Sequence, residues 1–184
     1  MFHPDLCLFK PLENGHYLLD SRSGANQFHL QYFNFLGLIL GKAIRDRQIV
    51  DARLAISVFS ELVGKRRSFD TLLEELKEVD PGMHKSLSWM LANDIEGIIF
   101  ENFTVLEEGF GEKKEVELIA GGQKMEVTDQ NKLQYAELLI RWILGTSFSA
   151  QLGSLVQGFH ALVPKDLLQV RTTCDTLGAQ ELTT

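Results

Sequence analysis

Two thiols, five imidazoles and a few adjacent carboxylates are where chemistry would first be sought in this 184-residue chain. A cysteine attacks as its thiolate, so a catalytic thiol needs a neighbour that lowers its pKa. Cys174 is instead followed by Asp175, whose negative charge disfavours the thiolate, and it reads as a thiol on a loose tail. Cys7 lies between Leu6 and Leu8 and reads as a small buried hydrophobe. His3, His16, His29, His84 and His160 share no metal-ligand spacing with one another or with either cysteine. Gly121-Gly122 lacks the following Lys-Ser/Thr of a phosphate loop. Glu74-Glu75 and Glu107-Glu108 are most simply solvated acidic faces. These groups supply no catalytic residue, no metal site and no cofactor.

The elements that would position any site are mostly helices. Residues 27–50 form a helix apolar on nearly every side that changes abruptly to charge, and such a helix belongs in a core or a membrane. Its longest apolar run, residues 35–40, is far below the ~20 residues of a membrane span. It therefore reads as a central helix, with Gly37 and Gly41 one turn apart where another helix can come close. Further helices are expected near 52–63, 68–78 and 82–93, and a long helical stretch near 129–162. Thr128 is the expected N-cap of that stretch, and Gly145 and Gly153 the expected breaks. Residues 114–127 read as a hairpin turning at Gly121-Gly122, with Leu118 facing Met125, Val116 facing Val127 and a wet face carrying Glu117. Short strands fit near 16–20 and 100–105. The expected fold class is mainly α with a small β-hairpin or sheet.

Composition agrees with one globular domain: 45% of residues are hydrophobic, enough to bury a sizeable core at this length. The net charge of −7 argues against nucleic acid, which requires a basic stripe. The start lacks the positive region and apolar run of a signal peptide, and no membrane association is expected. Two distant cysteines make no disulfide framework, which fits the cytoplasm or the nucleus.

Short motifs recur along the chain in the order of one protein family. His3-Pro4 with Leu8-Phe9 resembles the family's N-P-x-x-G-L-F, with Cys7 where the family often has glycine. Tyr32-Phe33 through Phe35-Leu36-Gly37 and Leu40-Gly41-Lys42-Ala43-Ile44 resemble its first N-lobe helix. Val58-Phe59 with Leu62-Val63-Gly64, Asp80-Pro81, and Ser86-Leu87 with Trp89, Leu91, Asn93 and Asp94 follow in family order. So do Phe103, Glu117-Leu118, Gly121-Gly122, Val127-Thr128, Asn131-Lys132, Tyr135, Gln151, Gly158-Phe159 and Val163-Pro164. Together they resemble the N-lobe of HECT-type ubiquitin ligases.

The resemblance covers roughly residues 1–170 and implies the large subdomain of a HECT N-lobe, with 171–184 a divergent tail expected to be disordered. It implies passage of ubiquitin through a cysteine thioester to substrate lysines. The family thioester cysteine lies in an L-P-x-A-x-T-C-F-N setting; Thr173-Cys174 repeats only the dipeptide, with Asp175-Thr176 in place of Phe-Asn. This chain is therefore expected to scaffold or to bind ubiquitin without catalysing transfer, a truncated competing form being the alternative. The conjugating enzyme would dock on a subdomain that the resemblance does not reach, and protein substrates are not readable. Several family N-lobes hold ubiquitin non-covalently at an exosite containing a phenylalanine in an E-E-x-F-G loop, and here that residue is Phe110. A partnering exosite tyrosine falls near Leu6.

Overall fold

The computed structural model describes residues 6–108 and 113–165. Its elements run β1 (Phe9–Pro11), β2 (Tyr17–Leu19), α1 (His29–Arg45), α2 (Ile56–Leu62), α3 (Phe69–Val79), α4 (Pro81–Ala92), β3 (Thr104–Glu108), β4 (Lys113–Glu117), α5 (Lys132–Leu144) and α6 (Ser149–His160). The class is mainly α with two small antiparallel sheets, β1–β2 and β3–β4.

Helices α1 and α6 form the most extensive helix pair, and glycine is the reason. A Cβ on Gly37 would overlap the Leu155 carbonyl oxygen, and one on Gly158 would overlap the Asn34 carbonyl. On Gly41 it would stand 2.8 Å from the Phe159 carbonyl oxygen. The backbones therefore meet directly, and Asn34 Nδ2 donates to the Ser154 carbonyl across the seam at 3.3 Å. The neighbouring face of α1 buries Phe33, Leu36 and Leu40 against β1, β2, α2 and α6. The outward stripe of α1, with Tyr32, Phe35 and Ile39 and the preceding Phe28, stays exposed. The expectation of burial all round is thus corrected: one helix neighbour and one core can cover only part of a helix's circumference.

A second core gathers α3, α4 and α5 around Leu72, Leu76, Leu87, Phe103, Ala136 and Ile140. Local chemistry sets the helix starts. Ser68 accepts from the Thr71 N–H, and Asp80, before Pro81, accepts from the Met83 N–H. Glu78 on α3 accepts from the Ile56 N–H at the start of α2, and also contacts Asn14 and His16 beside β2. Between α2 and α3 the buried carboxylate of Glu75 accepts from Ser60 and Arg67, and Arg67 also pairs with Glu61. A carboxylate this buried is tolerated because it is paired.

Three local expectations are overturned. Strand β4 does not pair with residues 123–127; it pairs with β3, Val116 facing Val105 rather than Val127. Gly121, at φ +78°, leads into a short 3₁₀ turn over Gly122–Lys124. Glu117 closes that turn by accepting from the Gly121 and Gln123 N–H groups, which a two-residue hairpin turn leaves no room for. Thr128 is not a cap: α5 begins at Lys132, and the Asn131 side chain accepts from the Thr128 N–H, reversing the expected direction. The break in the long helical stretch is at Gly145 alone, while Gly153 lies inside α6.

The quoted family residues meet across this fold. The Phe103 ring packs edge-on against Tyr135 at 5.4 Å, and burial pushes the Tyr135 hydroxyl up to about 12, with the charge of Glu101 adding to it. Lys132 Nζ bonds the Asn93 carbonyl and Asp129. Asp129 is held down at about 2, first by a hydrogen bond with the Asp94 carboxyl, then by Lys132 and the Ile95 N–H.

Replacing Gly37 with alanine should cost about 1–3 kcal/mol or more, since backbone must move to admit the methyl group. Gly153→Ala, in a helix interior with open space around it, should instead add about 0.5–1 kcal/mol. Urea midpoints of the two variants check both signs. The depressed Asp129 carboxyl stabilises the fold above its unfolded pKa near 4 and loses that contribution as pH falls to about 2. Asp129→Asn should lower the urea midpoint at neutral pH and converge with the parent near pH ~2.

Candidate functional site

An open cleft of about 530 Å³ separates the N-terminal sheet from the β3 wall. One side presents Lys10, Leu18, Asp20 and Arg22, the other Val105, Leu106 and Glu107, with Trp142 and Phe148 also lining it. The first side is built by a 3₁₀ turn, Ser21–Ala25, whose start Asp20 caps through the Arg22 N–H. The Asp20 carboxylate also takes the Arg22 guanidinium in a two-pronged pair, the shorter contact being 2.7 Å. These bonds and the charge of Asp20 raise the Arg22 pKa, and nearby Cys7 adds a smaller effect. Gln151 of α6 reaches into the same turn, donating to Ser23 Oγ at 2.9 Å, and Ser23 contacts His29 at the start of α1. The turn is thereby clamped to the helix pair beneath it.

The opposite side depends on the β3–β4 ladder, whose last pair is Glu108 with Lys113. Residues 109–112 connect those two positions, so Phe110 belongs to the link between the strands and lies outside the described residues. Leu6 is half-buried, packed against the first core two residues before the buried Leu8. It precedes Cys7, and neither residue is among the cleft's lining. The described residues therefore place one of the two expected binding residues. Cys174 also lies outside them.

Cys7 is not the buried hydrophobe expected from its leucine neighbours. It is half-buried and adopts φ +48°, the left-handed region where a side chain is strained. This backbone angle gives a physical reason why glycine suits the position.

Sequence reading missed the cleft itself. Its walls are about eighty residues or more apart in the chain, and Asp20 and Arg22 carry no spacing that marks them. No helix among the described residues is long and apolar enough to cross a membrane.

The family model described as HECT-domain (ubiquitin-transferase) matches residues 1–176. This chain belongs to the HECT-domain family. It is 38% identical over 172 residues to the E3 ubiquitin-protein ligase TOM1 of Saccharomyces cerevisiae, covering 92% of this chain and 5% of that protein. The E3 ubiquitin-protein ligase RSP5 of Emericella nidulans is also 38% identical over 172 residues, with 92% and 20% covered. The probable ligase hulA of Aspergillus terreus is 37% identical, with 92% and 21% covered. The chain thus spans a twentieth to about a fifth of the length of these relatives.

Glycine and alanine at position 7 should separate the backbone effect from loss of the thiol. Cys7→Gly should be more stable than Cys7→Ala by about 1 kcal/mol, because only glycine adopts φ +48° without strain. Thermal unfolding of the two variants reads the difference directly.

Proposed function

We propose that this HECT-family chain is the large N-lobe portion of a ubiquitin ligase and binds ubiquitin non-covalently beside the cleft, with Phe110 as the main apolar contact. One observation carries the reading. The Glu107-Glu108-Gly109-Phe110-Gly111 segment links strands β3 and β4, and β3 forms the cleft wall facing the N-terminal sheet. An aromatic residue between glycines in an acidic connection is suited to meeting a partner's apolar patch. Leu6, half-buried against the first core, contributes less apolar area than a tyrosine would.

Thioester transfer is assigned to regions other than this chain. Its two cysteines are Cys7 and Cys174, and neither has the family's L-P-x-A-x-T-C-F-N surroundings. The alternative is a ubiquitin-binding but non-catalytic form that competes with complete ligases. In the first form the conjugating enzyme and the substrates are engaged elsewhere in a longer ligase, and in either form the setting is the cytoplasm or nucleus.

Titration of ¹⁵N-ubiquitin with this chain tests the proposal. Saturable shifts centred on the apolar patch of ubiquitin are expected, lost with Phe110→Ala and weakened with Leu6→Ala. A folded chain that leaves the ubiquitin spectrum unchanged would rule the binding role out.

A further inference from the structure

The longest run of positive charge in this acidic chain is Lys65-Arg66-Arg67, and Ser68 follows it directly. No other serine or threonine in the sequence has two lysines or arginines within the three residues before it. The three cations are not equivalent. Arg67 turns inward between α2 and α3, where Glu75 and Glu61 hold it. Lys65, Arg66 and Ser68 are exposed, and neither Lys65 nor Arg66 forms an ion pair among the described residues.

Backbone geometry presents the same residues. Positions 65–68 belong to no helix or strand, and Ser68 is extended, at φ −71° and ψ 167°. In an extended segment residues two apart share a face, so Arg66 and Ser68 stand outward while Arg67 is pinned below. That inward anchor makes their exposure a property of the fold. Free cations just before an exposed serine are what a protein kinase with an acidic substrate groove selects by charge.

We propose that Ser68 is a phosphorylation site for a basophilic serine/threonine kinase, with Lys65 and Arg66 as the residues that the kinase reads. The Ser68 Oγ attacks the γ-phosphorus of ATP, the bond to the bridging oxygen of ADP breaks, and the hydroxyl proton passes to the kinase's base. The place suits the product. Ser68 Oγ already caps α3, accepting from the Thr71 N–H at 3.3 Å and contacting the Thr71 hydroxyl at 3.0 Å. A phosphate adds about −1.5 to −2 of charge and further acceptor oxygens at a helix N-terminus, which favours negative charge. Lys65 and Arg66 are free to pair with it. Arg67 is not, because its departure would leave the buried Glu75 carboxylate without its cation. The site is independent of the ubiquitin-binding reading, since neither Ser68 nor the cations before it line the cleft.

Incubation of the 184-residue chain with ATP and the catalytic subunit of cyclic-AMP-dependent protein kinase, followed by mass mapping, tests the proposal. Ser68 should take up one phosphoryl group. Arg66→Ala and Lys65→Ala should each lower the kinase's kcat/KM by roughly tenfold or more, the worth of one charge-assisted contact. Both side chains are exposed and unpaired, so the variants' far-UV spectra and melting curves should match the parent's. A folded chain that stays unmodified at Ser68 would overturn the proposal, and a modified peptide of residues 61–72 would then show that the fold withholds the site. Modification of Ser68 at the same rate in the Arg66→Ala and Lys65→Ala variants would overturn it too.

Discussion

The contact on which the structure depends is the bare backbone seam between α1 and α6. Helices normally pack with side chains between them, 8–10 Å apart. Here Gly37, Gly41 and Gly158 remove those side chains, so peptide groups of one helix sit against peptide groups of the other. That closeness leaves the remaining faces of both helices to build the first core, with Phe33, Leu36 and Leu40 on one side and Leu152, Leu155 and Phe159 on the other. The N-terminal sheet closes over that core through Leu8, Phe9, Leu18 and Leu19. A slip of one residue along the seam would put Leu36 or Leu38 where Gly37 now lies, so the glycines also set its register.

Polar groups join this unit to the second core. Glu78 satisfies the first free N–H of α2 while holding the β1–β2 turn, so one carboxylate on α3 ties together three segments distant in sequence. Val79, next to it, packs against both cores. At the far side, Asp129 and Lys132 bind the end of α4 to the start of α5. The family-like residues are thus mainly the joints of the scaffold: Asp80 and Asn93 at the ends of α4, Phe103 against Tyr135, Gln151 in the N-terminal turn, and the glycines of the seam. Their physical role is to hold surfaces in place, which is why they identify the fold without specifying a reaction.

The surfaces themselves use little of that signature. The cleft is bounded by a sheet from the start of the chain and a strand nearly ninety residues later, joined only through the two cores. Among its polar members, Asp20 and Arg22 pair with each other, while Lys10 and Glu107 line opposite sides beside the apolar Val105 and Leu106.

The sequence alone determined the family, the class, the helix count in the described chain to within the Gly145 break, and the close approach at Gly37 and Gly41. These rest on local periodicity and on residue types with a single physical use. Only the tertiary structure decided the partner of β4, because Val116 finds an apolar neighbour in either Val105 or Val127 and nothing local separates the two. It also decided that Asn131, rather than Thr128, closes the turn before α5, and that α1 keeps an exposed apolar stripe. The strain at Cys7 was hidden for the same reason: flanking leucines report burial, whereas a backbone angle is imposed by how the chain must enter β1. Long-range pairing and which face a helix covers depend on the whole packing arrangement, and a one-dimensional pattern does not contain it.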